Sequence, residues 1–195
     1  MKVMAMTAWI MQRFQQFDQQ LIAVNAQQSV SYQQFSDKIA QWQLRIEQWQ
    51  INTGDRVGLV CDYHIDVVAL LQALLLRGCI VIPLSEDDRA MFDERLTVCA
   101  ANVLLTVPTD RTIAVDSVQY QRLEPAEQIH SLMQPLLQQQ RAGLVIFTSG
   151  STGKGKAVLL DYQTMIEKFQ HKVRPAFRTL LFLKLDLEVL ATMGC

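Results

Sequence analysis

Four short runs dominated by apolar, largely β-branched residues punctuate this chain: 57–61 (VGLVC), 79–82 (CIVI), 103–107 (VLLTV) and 144–147 (LVIF). Helical patterns lie between them, at 65–77 closed by Gly78, and at 91–101 after a polar loop at 85–88. Strands separated by helices imply a largely parallel sheet flanked by helices, an α/β fold, because parallel strands need crossover connections that cover both faces. Ligands bind such sheets at the carboxyl ends of the strands. The residues just after 144–147 therefore matter most.

The remaining segments fit around that frame. Trp9, Ile10, Phe14, Phe17 and Leu21 recur at helical spacing, which predicts an amphipathic N-terminal helix. Residues 3–11 resemble a signal-peptide core, but no A-x-A cleavage site comes after them. Residues 23–25 and 29–31 read as a short hairpin, and Ser31 with Gln34 has the form of a capping box that opens a helix through about Trp49. Asn52-Thr53-Gly54 breaks that helix, and Pro83 is expected to stop the second strand. Pro108 and Asp110 mark a turn, 113–115 a short strand and 125–140 a helix. A strand at 158–160, a helix at 163–173 and a strand at 179–185 complete the pass.

Composition excludes several functions. The 195 residues are 50% hydrophobic and 19% charged with a net charge of −1, so no electrostatic footprint points to nucleic acid. The apolar stretch 67–76 is interrupted by Gln72 and is too short to span a bilayer. Cys61, Cys79, Cys99 and Cys195 have no metal-ligand or disulfide-framework spacing and read as reduced thiols of a cytoplasmic protein. His64, His130 and His171 are isolated, so no metal site is expected.

Residues 144–160 (LVIFTSGSTGKGKAVLL) carry the chemistry. An apolar run feeds a stretch made only of Thr, Ser, Gly and Lys, and a second apolar run leads out. Gly150, Gly153 and Gly155 let backbone approach a ligand closely. The hydroxyls of Thr148, Ser149, Ser151 and Thr152, with the backbone N–H groups, form a donor set suited to an anion. Lys154 and Lys156 add point charge of the kind a polyphosphate needs. A plain Gly/Ser turn has no need of two lysines and four hydroxyls.

Two phosphate loops compete for this stretch. From Gly150 the residues satisfy G-x-x-x-x-G-K as far as Lys156, but a Walker-type loop then requires Ser or Thr for Mg²⁺, and Ala157 stands there. It also requires a helix, whereas 157–160 reads as a strand. Thr148-Ser149-Gly150-Ser151-Thr152-Gly153-Lys154-Gly155-Lys156 instead resembles the phosphate loop of the adenylate-forming enzymes: acyl-CoA synthetases, luciferases and peptide-synthetase adenylation domains. The departures are Gly155 where the family has Pro and Ala157 where it has Gly; neither removes a phosphate donor. Ser31-Tyr32-Gln33-Gln34-Phe35, residues 53–60 (TGDRVGLV) and residues 75–84 (LLRGCIVIPL) resemble further family segments in the right order.

The resemblance implies the incomplete N-terminal domain of the adenylate-forming fold over residues 1–186, with 187–195 a divergent tail. It implies ATP-dependent carboxylate activation: an acyl-adenylate forms, pyrophosphate leaves, and the acyl group passes to a thiol of CoA or a carrier protein. By that resemblance Thr148, Ser149, Gly150, Ser151, Thr152, Gly153, Lys154 and Lys156 hold the ATP phosphates, none is a general acid or base, and Mg²⁺ accompanies ATP. The family's acidic Mg²⁺ segment, ribose-binding Asp and catalytic Lys have no counterpart in the 195 residues, so a truncated chain, inactive alone, is expected. A Walker-type NTPase, a non-catalytic pseudoenzyme fragment and a lone interaction domain remain the alternatives at this point.

Overall fold

The computed structural model describes residues 2–24, 29–109, 113–124, 126, 128–148 and 156–170. The first helix, α1, spans Lys2–Phe17. Its Phe14 ring lies edge-on against Phe35 with centroids 5.6 Å apart, and Ile10 is buried. The helix ends four positions earlier than the expected stripe, at Phe17: Leu21 opens strand β1 (Leu21–Val24) and is 57% exposed. β1 pairs antiparallel with β2 (Ser29–Ser31), the expected hairpin.

The capping box forms as predicted. Gln34 N donates to Ser31 Oγ at 3.2 Å, and Ser31 N donates to Gln34 Oε1 at 2.8 Å. Two donors that the first turn of α2 (Tyr32–Gln48) would leave orphaned are thus satisfied. Phe35, Ile39, Trp42 and Ile46, three or four residues apart, bury one face of α2. Trp42 Nε1 donates to Asp66 O at 3.1 Å, tying α2 to α3 (Ile65–Arg77). Gly78 ends α3 at φ 89°, where a Cβ would also stand 2.8 Å from Thr53 Cγ2; the position demands glycine twice over.

The main sheet has the order β6-β5-β3-β4-β7-β8. β3 (Arg56–Val60) lies parallel to both β4 (Ile80–Leu84) and β5 (Val103–Thr106). β4 lies parallel to β7 (Gly143–Thr148), and the sheet is closed at its two ends by the antiparallel strands β6 (Gln119–Arg122) and β8 (Lys156–Asp161). Alternate residues serve opposite faces. Val57, Leu59, Val81, Leu144 and Ile146 join the core with α1, α2 and α3, while Val60, Ile80, Ile82 and Val145 join a second core. Helices α4 (Phe92–Val98) and α5 (Gln134–Gln138) cover that second face, and α6 (Tyr162–Gln170) follows β8.

Four expectations are corrected. Pro83 lies inside β4, where pairing with β7 has ended at Val81, so no ladder bond needs its missing N–H. The strand expected at 113–115 is absent; the strand is β6, four polar or amphipathic residues at the sheet's edge, where one-sided burial gives no apolar run. The helix expected across 125–140 shrinks to a 3-10 turn, Ser131–Met133, and α5, because Pro135 belongs in a first turn and not in mid-helix. The helix expected over 91–101 is α4 preceded by a 3-10 segment, Glu86–Met91. The predicted strand at 179–185, the tail at 187–195 and the end of the 163–173 helix lie outside the described residues.

Candidate functional site

β7 is built to deliver its last residues to the carboxyl edge of the sheet. Gly143 through Ile146 are buried, Phe147 is half-buried and Thr148 is exposed. Gly143 admits close packing at the strand's start: a Cβ there would meet Leu136 Cδ2 at 2.8 Å and Leu159 Cδ1 at 3.1 Å. β8 returns antiparallel in unbroken register from Thr148↔Lys156 to Gly143↔Asp161. Thr148 and Lys156 therefore face one another across the mouth of the candidate loop, and Thr148 Oγ1 donates to Lys156 O at 3.4 Å. Both side chains are exposed. Of the predicted phosphate-binding residues, these two are brought together; Ser149, Gly150, Ser151, Thr152, Gly153 and Lys154 lie outside the described residues.

The element that begins at Lys156 decides between the two loop types. A Walker lysine opens a helix, but here Lys156 opens a strand, and the helix starts only at Tyr162. Asp161 caps that helix: its Oδ1 accepts from Gln163 N at 3.1 Å and its Oδ2 from Thr164 Oγ1 at 2.9 Å. The Walker alternative is overturned by this geometry.

The stem is pinned below. Arg141 forms an ion pair with Asp161, and Tyr162 N donates to Ala142 O at 3.1 Å. The buried Tyr162 hydroxyl and Gln72 of α3 bond each other, with Tyr162 Oη 2.9 Å from Gln72 Oε1. Burial, only partly offset by Gln72, pushes the Tyr162 phenol well above its usual range. Beside the stem's upper end, the Arg95 guanidinium of α4 lies 4.8 Å from the Phe147 ring centre and pairs with Asp88 at 3.0 Å. No sequence pattern announces that contact, since Arg95 and Phe147 are joined only by the sheet's order.

A second concavity sits at the same edge, lined by Asp62, Tyr63 and His64 after β3 and by Pro108 and Thr109 after β5. His64 caps α3, its Nδ1 accepting from Asp66 N at 3.2 Å. Asp66 also pairs with Lys38, so this corner is an organised polar cluster. Among the described residues, no three His, Cys, Asp or Glu side chains gather as a metal site. No helix among the described residues is long and apolar enough to cross a membrane.

The sequence model of the AMP-binding enzyme family matches residues 11–193. The chain belongs to the AMP-binding enzymes. Its fold is the adenylate-forming one. The chain is similar to o-succinylbenzoate CoA synthetase (MenE) from Bacillus subtilis, solved with the acyl-adenylate intermediate OSB-AMP, at a TM-score of 0.67 and 18% identity, covering 95% of this chain and 52% of that one. It is also similar to PA1221, an NRPS protein containing adenylation and PCP domains, at a TM-score of 0.60 and 17% identity over 85% of this chain and 34% of that one. Gramicidin S synthase 2 of Brevibacillus brevis is 24% identical over 152 residues, 75% of this AMP-binding chain. Bacitracin synthase 1 of Bacillus licheniformis is 26% identical over 148 residues, 71% of the chain. The chain spans about half the length of the MenE structure and 3% of each of these two synthetases.

Proposed function

We propose that this AMP-binding chain supplies the phosphate-holding part of an ATP-dependent carboxylate-activating enzyme, with residues 1–186 the N-terminal portion of its adenylation domain. Thr148, Ser149, Ser151, Thr152 and the backbone of Gly150 and Gly153 donate hydrogen bonds to the β- and γ-phosphates, and Lys154 and Lys156 neutralise charge on departing pyrophosphate. Holding those phosphates places the α-phosphorus in line with an attacking carboxylate; positioning and charge stabilisation are what this transfer requires. The observation that carries the reading is the strand at Lys156–Asp161, which sets Thr148 and Lys156 opposite each other at the carboxyl edge.

The acyl acceptor in this reading is a thiol, of coenzyme A or of a carrier protein; the likeness to a CoA synthetase and to an adenylation–PCP protein supports it. Mg²⁺ supplies charge neutralisation when it enters with ATP. The buried cysteines Cys61, Cys79 and Cys99 support a reducing, cytoplasmic setting. Because the chain spans 52% of the MenE structure, the 195 residues alone are expected to bind phosphates without completing adenylate formation. Calorimetric titration with inorganic tripolyphosphate tests the first half and carboxylate-dependent exchange of labelled pyrophosphate into ATP the second. Binding without exchange is the expected result. Absence of binding would overturn the phosphate-loop reading, and exchange above background would overturn the incomplete-site reading.

A further inference from the structure

We propose that Arg95 is a positioning residue for the phosphate loop. Its guanidinium, clamped between the Asp88 carboxylate and the Phe147 ring, sets where β7 delivers Thr148. The proposal rests on the reading of 148–156 as a phosphate loop.

The need for such a residue comes from the ladder. β7 pairs with β4 only at Gly143 and Leu144, whereas its pairing with β8 runs the full length of the strand. The upper half of β7 therefore has one backbone neighbour, an edge strand whose first three residues are exposed. On its other flank, position must come from side chains. Ile146 is buried on the face of α1, α2 and α3, and Phe147 turns to the face of α4. Phe147, packed against the second core, is thus the last residue before Thr148 held on that face, and Arg95 covers its ring.

The contact is built from three elements. Arg95 Nη1 donates to Asp88 Oδ2 at 3.0 Å, and its Cζ stands 4.8 Å from the Phe147 ring centre. The Arg95 side chain is 15% exposed, so ring and cation meet where little water competes. Asp88 comes from the 3-10 segment, Arg95 from α4 and Phe147 from β7. Because Asp88 neutralises the guanidinium, Arg95 is no hook for the nucleotide itself. It acts through the ring, and the planar fork is what lets one side chain hold a carboxylate at its edge and a ring at its face.

The test uses the full chain, with affinity for inorganic tripolyphosphate measured by calorimetry and melting followed in parallel. Arg95→Gln and Phe147→Leu should each weaken binding about five-fold, within the range of one cation–ring contact. The double variant should be no weaker than either single one, since both remove the same contact. A merely structural role would lower the melting temperature and leave the affinity of the folded chain unchanged. Unchanged affinity in Arg95→Gln, or additive losses in the double variant, would overturn the role of Arg95 while leaving the loop reading intact. No binding by the unsubstituted chain would overturn the loop reading and this proposal with it. Should Arg95→Gln not fold, Arg95→Lys decides by the same criteria: it keeps the charge, loses the fork, and should bind about two-fold more weakly.

Discussion

The two edges of the main sheet are made of different material. At the amino edge, Asp55 accepts from Asn52 N at 2.9 Å, Asn102 Nδ2 at 2.7 Å and Arg122 Nη1 at 3.1 Å. Asn102 Oδ1 accepts in turn from Arg56 N at 2.8 Å, and Thr53 Oγ1 donates to the last carbonyl of α3, Arg77 O, at 2.7 Å. One carboxylate thereby joins the starts of β3 and β5 and the end of β6 to the turn after α2. The carboxyl edge, among the described residues, presents exposed Thr148 and Lys156, a polar concavity after β3 and β5, and the Arg95–Phe147 contact. Polar groups at the first edge form one network through Asp55, while the second pairs its polar groups locally, Lys38 with Asp66 and Arg95 with Asp88, and leaves the Thr148 and Lys156 side chains exposed. On the proposed reading this is a division of labour, with stability at the amino edge and recognition at the carboxyl edge.

Alkaline pH should break the amino edge first. Burial, with Asp55 adding to it, raises the Cys79 thiol from 9.0 to about 12, and burial raises Cys99 to about 11. A raised acid stabilises the fold fully below its unfolded value and loses that contribution as pH climbs to the folded one. Melting temperature should therefore hold below about pH 9 and fall steadily toward pH 11–12. A flat profile across that window, followed by circular dichroism, would contradict the burial of these thiols.

Asp55→Ala should produce the next largest effect. It strands Asn102, Arg122 and a backbone N–H, a loss of about 2–3 kcal/mol and about 5–10 °C in Tm. Tripolyphosphate affinity of the folded chain should not change. A parallel loss of affinity would show that the edges are coupled. Lys156→Ala should do the opposite, lowering tripolyphosphate affinity about ten-fold through one charged contact, with stability within about 0.5 kcal/mol of the parent, as for an exposed site. Equal affinity would remove Lys156 from the site. The smallest effect is expected from Tyr162→Phe, which leaves buried Gln72 short of a partner; urea denaturation should register about 1 kcal/mol, and no change would mean that Gln72 finds another partner.

How much of this was legible in the sequence depends on the range of each interaction. The capping box at Ser31, the glycine stop at Gly78 and the strand after Lys156 are local, and each was readable from residues within one turn or one strand. β6 was not readable, because an edge strand such as Gln119-Tyr120-Gln121-Arg122 needs no apolar face; Tyr120 is held there by stacking 5.6 Å from Trp49, some seventy positions away. Pro83 misled because its cost depends on whether a neighbouring strand reaches that far, which only the register discloses. At the candidate site, the loop's composition nominates Thr148 and Lys156, whereas the Arg95–Phe147 contact stayed hidden until the sheet order set α4 beside β7.

The antiparallel return of β8 also fixes which kinds of change the chain can survive. Side chains in β7 and β8 alternate between two cores, so deleting a single residue inside Lys156–Asp161 would invert the parity of those beyond it: Leu159 would trade the α4 and α5 face for the opposite one, and Leu160 the reverse. A residue added or lost between Thr148 and Lys156 leaves that parity untouched, and loop closure changes only slowly with length. The hairpin thus separates two inheritances: the strands answer to folding, while the length of the stretch they enclose is left free by the ladder.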